Sequence, residues 1–428
     1  MTEQEIAGMT PAFASYLGRF RDCFIQKRTM AHFDSYCRGL LSDLPRKSVE
    51  PIALASGIAV RTLQEFLVTT RWDQERARDR LQRDLAATAA VIPDDALGTV
   101  GVIDETSCQK WGEQTPGVQR QYLGCLGKVD NGIVTVHVGL AKGSFQTLLD
   151  ADLYLPESWD QDRQRCRDAG IPDDVRYRPK WRIALDQVVR LSGNGVHFDW
   201  LVFDEGYGAA VPFLNILNLV KQRFVAEVPV NFTVRNTPTS VARRADERLS
   251  VAKAKAGRRY RIKHQTVKDS VWRAAEALVW VQGHQYRLIV AINEATAEVK
   301  YFLTNAIDAP LARVLAVAFR RWTVEHSFRL GKQEAGMMHY EGRDYLGLIR
   351  HLTMALVVLG FVATHTERLR GEKSARDRRA GMPRSQPTMR SDLSTPARHT
   401  RDQTHERSHS IPPAPQRTGD KIAQETAA

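Results

Sequence analysis

The pattern of apolar and polar positions divides the chain into segments of different character. Between about residues 11 and 90, apolar residues recur every three or four positions, which predicts amphipathic helices. From residue 98 onward, short apolar runs predict strands, separated by two helices. The predicted strands are 98–104, 121–128, 132–141, 198–204 and 224–229, and the helices are 179–191 and 209–221. Three strands, a helix, a strand, a helix and a strand, in that order, are typical of the ribonuclease-H-like α/β fold, a mixed sheet covered by helices.

A hairpin pattern follows this α/β segment. Two strand-like runs, 285–292 and 299–303, flank the turn-forming residues 293–296. We therefore expect a β-rich insertion, after which helical periodicity returns over 309–331 and 345–369. Residues 352–363 form the longest apolar run, which is too short to span a bilayer and predicts a buried helix instead.

The last part of the chain has a different composition. After residue 371 it is rich in Arg, Ser, Pro and Thr and has few large apolar residues, which predicts a disordered basic tail. The predicted organisation is an all-α N-terminal domain followed by an α/β domain that an insertion interrupts. The boundaries are 1–95 for the helical domain, 96–230 and 306–370 for the α/β domain, 231–305 for the insertion and 371–428 for the tail.

Residues 48–68 have the spacing of a helix-turn-helix unit. Gly57 supplies the sharp bend between two short helices, and Ala53 faces the turn. The second helix would pack through Leu63, Phe66 and Leu67 and expose Arg61, Thr62 and Gln64. These polar residues could enter a DNA groove, although any helical hairpin can carry a glycine at its turn.

Charge favours a polyanionic partner. Lys and Arg number 61 against 49 Asp and Glu, giving a formal net charge of +12. A surplus of this kind attracts DNA or RNA through counterion release, but it also occurs in basic enzymes that bind neither. The five scattered cysteines form no zinc-binding pair, and no secretory signal follows Met1, so we expect a cytoplasmic protein.

Three acidic residues indicate a metal site. Asp104 closes the first predicted strand, Asp204 closes the fourth, and Glu325 lies in the predicted helix 309–331. Carboxylate oxygens are the ligands that Mg²⁺ and Mn²⁺ prefer, and two such ions can hold both reacting oxygens of a phosphodiester. Taken singly, a strand-end Asp more often serves a turn or caps a helix, so the conjunction of the three carries the prediction.

Two cations share the predicted helix face of Glu325. On an ideal helix Arg321 and Lys332 lie within about 40° of it, which suits a phosphate clamp beside a metal ligand. The alternative is a simple intrahelical ion pair between Arg321 and Glu325.

Four segments of the chain resemble the DDE transposases of bacterial insertion sequences. They are 102–106 (Val-Ile-Asp-Glu-Thr), 120–128 (Arg-Gln-Tyr-Leu-Gly-Cys-Leu-Gly-Lys), 202–208 (Val-Phe-Asp-Glu-Gly-Tyr-Gly), and 321–325 (Arg-Trp-Thr-Val-Glu) continuing to 339–343 (His-Tyr-Glu-Gly-Arg). The likeness is to the branch that carries a β-rich insertion between the second Asp and the Glu. It extends from about residue 13 to residue 369.

The resemblance implies roles for individual residues. Asp104, Asp204 and Glu325 correspond to the catalytic triad, which would bind two Mg²⁺ or Mn²⁺ ions. Arg321 and Lys332 match the cations of the Tyr-Arg-Glu-Lys signature. The tyrosine of that signature would fall at position 318, where this chain has alanine.

The function implied is metal-dependent cleavage at the ends of a mobile element and strand transfer into target DNA. The partners would be double-stranded DNA, as terminal inverted repeats and as target, and a second copy of the chain in a homodimeric DNA complex. Two rivals are a regulator that binds DNA without cutting it and a ribonuclease-H-like nuclease or resolvase without strand transfer. No membrane is expected, and no nucleotide cofactor, because Gly206-Tyr-Gly208 and Gly331-Lys332 lack the remaining residues of nucleotide-binding loops.

Overall fold

The computed structural model describes residues 3–263 and 269–379. Residues 1–376 form one compact unit, and of the second unit, 377–428, the structure describes 377–379. The N-terminal elements are helical, as predicted. They are α1 (Glu3–Gly18), a 3₁₀ turn (Arg21–Cys23), α2 (Lys27–Leu41), α3 (Val49–Ala55), α4 (Val60–Val68) and α5 (Gln74–Val91).

Helices α3 and α4 confirm the predicted helical hairpin. Gly57 adopts a φ of +64° at the turn, which a residue with a side chain rarely takes. The amide of Ile58 closes the turn by donating to the carbonyl of Ala53 at 3.0 Å. Ala53 and Leu63 are fully buried, so the two helices pack through the residues that the sequence assigned to their interface.

The strands form one large mixed sheet, which confirms the predicted α/β class. Its ten strands are joined in the order β2-β3-β1-β5-β6-β12-β11-β10-β9, with β4 also paired to β3, and β7 and β8 form a separate pair. Only the β1–β5 and β5–β6 pairings are parallel in the described sheet. The strands are β1 (Val100–Gln109), β2 (Gln119–Leu123), β3 (Lys128–Lys142), β4 (Phe145–Leu153), β5 (Trp200–Phe203), β6 (Phe224–Val228), β7 (Thr233–Val234), β8 (Arg243–Arg244), β9 (Arg258–Ile262), β10 (Ser270–Val281), β11 (His284–Asn293) and β12 (Val299–Thr304).

Three strand predictions were wrong in extent. The first strand continues to Gln109, because β1 pairs with β3 along its whole length. The predicted strand 121–128 contains a turn, where Gly127 takes a φ of +65° between β2 and β3. Strand β4 was missed because its buried positions are nearly continuous and include a carboxylate, Asp150, which Arg190 pairs at 2.8 Å.

The predicted hairpin of residues 285–303 exists as β11 and β12, and it extends the central sheet. Leu303 of β12 lies opposite Ala226 of β6, in an antiparallel pairing. Strands β10 and β9 continue the sheet outward, so β9 is its edge. This region of the chain therefore shares one continuous sheet with the strands that carry Asp104 and Asp204.

The helices after the first strands pack on this sheet. One of the predicted helices, 309–331, is divided at Arg321, because α13 packs on β5 and β6 whereas α14 packs on β3 and β4. The helices are α6 (Glu157–Gln161), α7 (Arg163–Asp168), α8 (Lys180–Gly193), α9 (Glu205–Gly208), α10 (Val211–Leu219), α11 (Ala245–Arg248), α12 (Val251–Ala256), α13 (Leu311–Arg320), α14 (Trp322–Gln333) and α15 (Tyr345–Arg379).

Helix α15 is the predicted buried helix, and its apolar stretch is longer than the run 352–363. Tyr345–Gly371 is long and apolar enough to cross a membrane, but 78% of its most apolar window is buried inside the protein. That burial is the behaviour of a core helix. The start of the predicted disordered tail at residue 371 was wrong, because α15 continues to Arg379. Residues 380–428 of the predicted tail lie outside the described residues.

Helix α15 also contacts the N-terminal helices directly. The ring of Phe361 lies 4.6 Å from that of Phe13. The buried guanidinium of Arg350 donates to the backbone carbonyls of Phe66, Leu67 and Trp72 at 3.0 to 3.2 Å. The N-terminal helices and the last described helix therefore share a core.

Candidate active site

Strand register brings Asp104 and Asp204 to neighbouring positions. In the parallel pairing of β1 with β5, Ile103 lies opposite Phe203, so the two aspartates are the next residue on each strand. Asp104 is inside β1 and not at its end, because the strand continues in its pairing with β3. The parallel pairing of β1 with β5, in contrast, ends at Ile103 and Phe203. A space therefore opens between the two carboxylates that follow.

Asp204 caps the short helix α9. Its Oδ1 accepts from the amides of Gly206 (3.0 Å) and Tyr207 (3.4 Å), and its Oδ2 accepts no hydrogen bond from the described residues. Gly208 fits α9 closely against β6, since a Cβ there would lie 1.9 Å from the carbonyl oxygen of Glu227. The capping role that strand-end aspartates often take thus coexists with one oxygen left for a ligand.

Glu325 lies on α14 and faces the same cavity as the two aspartates. The cavity has a volume of about 550 Å³, and Asp104, Asp204 and Glu325 all line it. Asp104 is buried at 9% exposure, whereas Glu325 is exposed. Three acids that are far apart in the chain thus lie around one space.

Arg321 pairs with Asp104 and not with Glu325. Its Nη1 lies 2.8 Å from Asp104 Oδ2, and the two side chains are only 16% and 13% exposed. Arg321 stands between α13 and α14, and its guanidinium pairs with Asp104 in place of the intrahelical partner Glu325. The sequence had predicted one continuous helix over 309–331. Arg321 and Glu325 therefore do not share a single helix as expected.

The surroundings of this ion pair raise the pKa of the Asp104 carboxyl. Burial raises the pKa of Asp104 to about 6; the Arg321 guanidinium opposes the rise, and the Asp204 carboxylate adds to it. Burial lowers the pKa of Arg321, but Asp104, Glu227 and Asp204 outweigh this effect and raise it above its usual value. A cation thus lies among several carboxylates.

A buried, uncharged histidine lies next to Asp104 on the neighbouring strand, outside the residues that line the cavity. His137 lies opposite Asp104 on β3, and burial lowers its pKa to about 3, so the imidazole carries no charge at neutral pH. Its ring meets the edge of Phe328 on α14 at 5.0 Å. This contact fixes the helix that carries Glu325 against the sheet that carries Asp104.

Comparison with known proteins adds to this geometry. Residues 19–287, more than half of the chain, match the family described as DDE superfamily endonuclease. The chain belongs to the DDE superfamily of endonucleases. The matched segment includes Asp104 and Asp204 and ends before Glu325.

A curated relative is similar over much of the same region. The chain is 32% identical over 243 residues to a protein named "Probable transposase for insertion sequence element IS701" from Microchaete diplosiphon. The alignment covers 56% of this chain and 59% of the relative. The chain thus spans somewhat more than half the length of the relative that it matches.

The acid cavity of this DDE endonuclease has the donor chemistry for a divalent ion. Endonucleases of this superfamily generally use divalent metal ions, and carboxylate oxygens suit Mg²⁺ or Mn²⁺. As they stand, no three His, Cys, Asp or Glu side chains within 3–263 and 269–379 are arranged to hold an ion. The residues fit by type and by their common cavity, and Asp104 would have to exchange Arg321 for a metal.

Of the other predicted site residues, some line the acid cavity and others lie outside it. Lys332, in the last turn of α14, lines the acid cavity, whereas Ala318 on α13 is buried and does not. The helix-turn-helix residues lie on α4, outside this cavity. Arg61 and Gln64 are exposed and Thr62 is half-buried, and Arg61 pairs with Glu65 at 2.9 Å.

Several lining residues were not foreseen as part of the site, among them Glu105, Tyr122, Cys125 and Arg329. Glu105 pairs with Lys180 at 2.6 Å beside Asp104. Tyr122 and Cys125 form the rim at the end of the β2–β3 hairpin, within a motif that the sequence had marked. Arg329 could have been found, because it follows Glu325 by four residues and so shares its helix face.

Proposed function

We propose that this DDE endonuclease is a transposase that cleaves DNA at the ends of a mobile element and joins the freed strand to target DNA. The observation that carries the proposal is the single cavity lined by Asp104, Asp204 and Glu325. The similarity to a probable insertion-sequence transposase supports it. A phosphodiester is the substrate class that suits such a carboxylate site in a chain with a net charge of +12.

In this proposal the three acids hold two Mg²⁺ or Mn²⁺ ions. Asp104 and Asp204 would hold the ions from the sheet side of the cavity, and Glu325 would do so from α14. Bound there, the metal supplies charge that stabilises the attacking and leaving oxygens. The protein side chains orient the phosphate, and no covalent protein–DNA intermediate is needed.

Arg321 and Lys332 act on the phosphate beside the cut. Cations repel metal ions, so their contribution in a metal site is to the DNA backbone. Arg321 holds Asp104 in the absence of substrate and transfers its planar donor fork to phosphate oxygens when DNA binds. Its pairing with Asp104 keeps the buried carboxylate from remaining an isolated charge until then.

Recognition of the ends belongs to the N-terminal helices. The exposed face of α4, with Arg61, Thr62 and Gln64, would enter a groove of the terminal inverted repeats. The domains of the proposal keep the predicted boundaries, with residues 1–95 for end binding, 96–230 and 306–370 for catalysis, and 231–305 as an insertion that adds contact area. Joining two ends requires a second copy, so the DNA complex is a homodimer.

The test separates cutting from binding. Asp104→Asn and Asp204→Asn should each abolish Mg²⁺-dependent cleavage of a labelled element end, because each removes a metal-binding charge but little volume. Binding of the same end, measured by gel shift in Ca²⁺, should change little. Glu205→Gln is the matched control, since Glu205 adjoins Asp204, is exposed and does not line the cavity.

Two results would contradict the proposal. Undiminished cutting by either asparagine variant would remove these aspartates from the chemistry. Binding without cutting by the wild-type chain in Mg²⁺ and Mn²⁺ would make it a regulator, and cutting without strand joining would make it a nuclease.

A further inference from the structure

A second and larger cavity adjoins the acid cavity on the other side of Glu325. It has a volume of about 840 Å³ and lies between the edge strand β9, helices α13 and α14, and the segment before β1. Glu325 and Arg329 line both cavities, so the two spaces meet at α14. We call the larger one the basic groove and define it by Tyr260, Arg261, Lys263, Trp322 and Arg329.

The basic groove has a surplus of available positive charge. Arg261, Lys263 and Arg329 are exposed, and none forms an ion pair with a carboxylate in the described parts of the chain. Two further cations of the lining are neutralised, Arg259 by Glu294 and Arg320 by Asp95. An anion entering the groove would therefore meet three unpaired cations.

Aromatic side chains line the same groove. Tyr260 on β9 and Trp322 on α14 are half-buried and line the groove. Trp322 is held edge-on against Phe319 at 5.9 Å, and Phe319 in turn packs on Trp272 at 4.5 Å. A ring fixed in this way loses little freedom when a flat ligand stacks on it.

We infer that the basic groove binds a single strand of DNA next to the bond that is cut. Cations that track a backbone, combined with aromatic faces on which bases stack, are the features by which proteins bind unpaired strands. A volume of about 840 Å³ is that of a pocket for small ligands, so it takes individual nucleotides and not a base-paired turn. The inference rests on the proposed function, because the groove lies next to the cut bond only if Glu325, which lines both cavities, belongs to the catalytic site.

The test measures binding without cutting. Fluorescence anisotropy of the full chain in metal-free buffer would compare a short labelled oligothymidylate with a blunt duplex. The double variant Arg261→Gln with Lys263→Gln should bind oligothymidylate about tenfold more weakly or worse, and its salt slope should fall by about 1.4 for the two lost contacts. Binding of the blunt duplex by the same variant should fall by less than about threefold.

The matched control is Lys253→Gln with Lys255→Gln. These exposed lysines lie on α12 just before β9, and they remove the same charge without lining the groove. Their affinity for both DNAs should stay within about twofold of the wild type. Equal losses in the two double variants, or equal losses on single strand and duplex, would overturn the inference.

Trp322→Leu tests the stacking surface separately. Leucine keeps an apolar side chain against Phe319 but offers no ring, so oligothymidylate affinity should fall about fivefold or more, with an unchanged salt slope. Unchanged affinity in a variant with a normal melting temperature would contradict the stacking role. Because no step requires cleavage, these results stand apart from the activity of the acid cavity.

Discussion

At the scale of single residues, the contact between Arg321 and Asp104 carries the most information. The sequence analysis identified both residues, but it assigned Arg321 to a phosphate, with an ion pair to Glu325 on the same helix as the alternative. The actual partner lies 217 positions away, on β1. Local periodicity indicates only partners within one helix, so it could not show this contact.

Titration of Asp104 should be visible in stability. Its pKa is about 6 in the folded chain against an ordinary value of 3.8, so the folded state holds this proton more tightly and wild-type stability falls as pH rises between these values. Asp104→Asn cannot titrate. Its stability relative to the wild type should therefore increase across the same window, by up to about 3 kcal/mol.

Urea unfolding in EDTA, at intervals between about pH 4 and pH 7, measures this difference. Asp308→Asn, at an exposed carboxylate, serves as the control. The difference in unfolding free energy between wild type and Asp104→Asn should therefore vary with pH. If it does not, the pKa of Asp104 is not raised in the folded chain.

Arg321→Lys keeps the charge and removes the planar fork. If Arg321 binds two phosphate oxygens, the cleavage rate at saturating DNA should fall about tenfold or more, because lysine cannot reproduce the paired donors. Arg313→Lys on the exposed face of α13 is the matched control. A rate equal to that of the wild type, with normal stability, would limit Arg321 to its ion pair with Asp104.

At the scale of elements, the short helix α9 positions Asp204. Gly208→Ala should displace this helix, because the new methyl group would lie 1.9 Å from the carbonyl oxygen of Glu227. We expect a loss of about 1 to 3 kcal/mol in the free energy of unfolding and slower cleavage. Gly193→Ala, where no heavy atom lies within 4 Å of the added carbon, is the control. Equal melting temperatures in the two variants would show that β6 gives way easily.

The sequence predicted an element well when neighbouring residues alone determine where it ends, and poorly when pairing with a distant strand does. The run before Asp204 is apolar at every position and buried on both faces, so β5 and its terminal acid were found. The extent of β1 was not, because β3 continues to pair with it beyond Asp104. The cations of β9 alternate with apolar residues over Arg259, Tyr260, Arg261 and Ile262, and this period of two was a signal that the sequence analysis did not use.

At the scale of the whole molecule, the tail is expected to add charge and not stability. Removal of residues 372–428 should leave the melting temperature unchanged and weaken DNA binding modestly, because the segment offers arginines but few large apolar side chains. Arg370, which donates to the carbonyl of Ser144 at 3.1 Å, stays in the shortened chain. A large fall in melting temperature would mean that the tail packs on the rest of the protein.

Arg350 has a consequence for how this protein can be divided. Its buried guanidinium finds its acceptors in the last turn of α4 and in the segment that follows, and burial lowers its pKa to about 10. A fragment that began at residue 96 would leave that charge without acceptors and would uncover the ring of Phe361. The N-terminal helices therefore do not form an independent domain that could be exchanged for that of a relative without destabilising the protein. If α4 reads the element ends, as proposed, a change of end specificity requires substitutions on its exposed surface that leave its buried face unchanged.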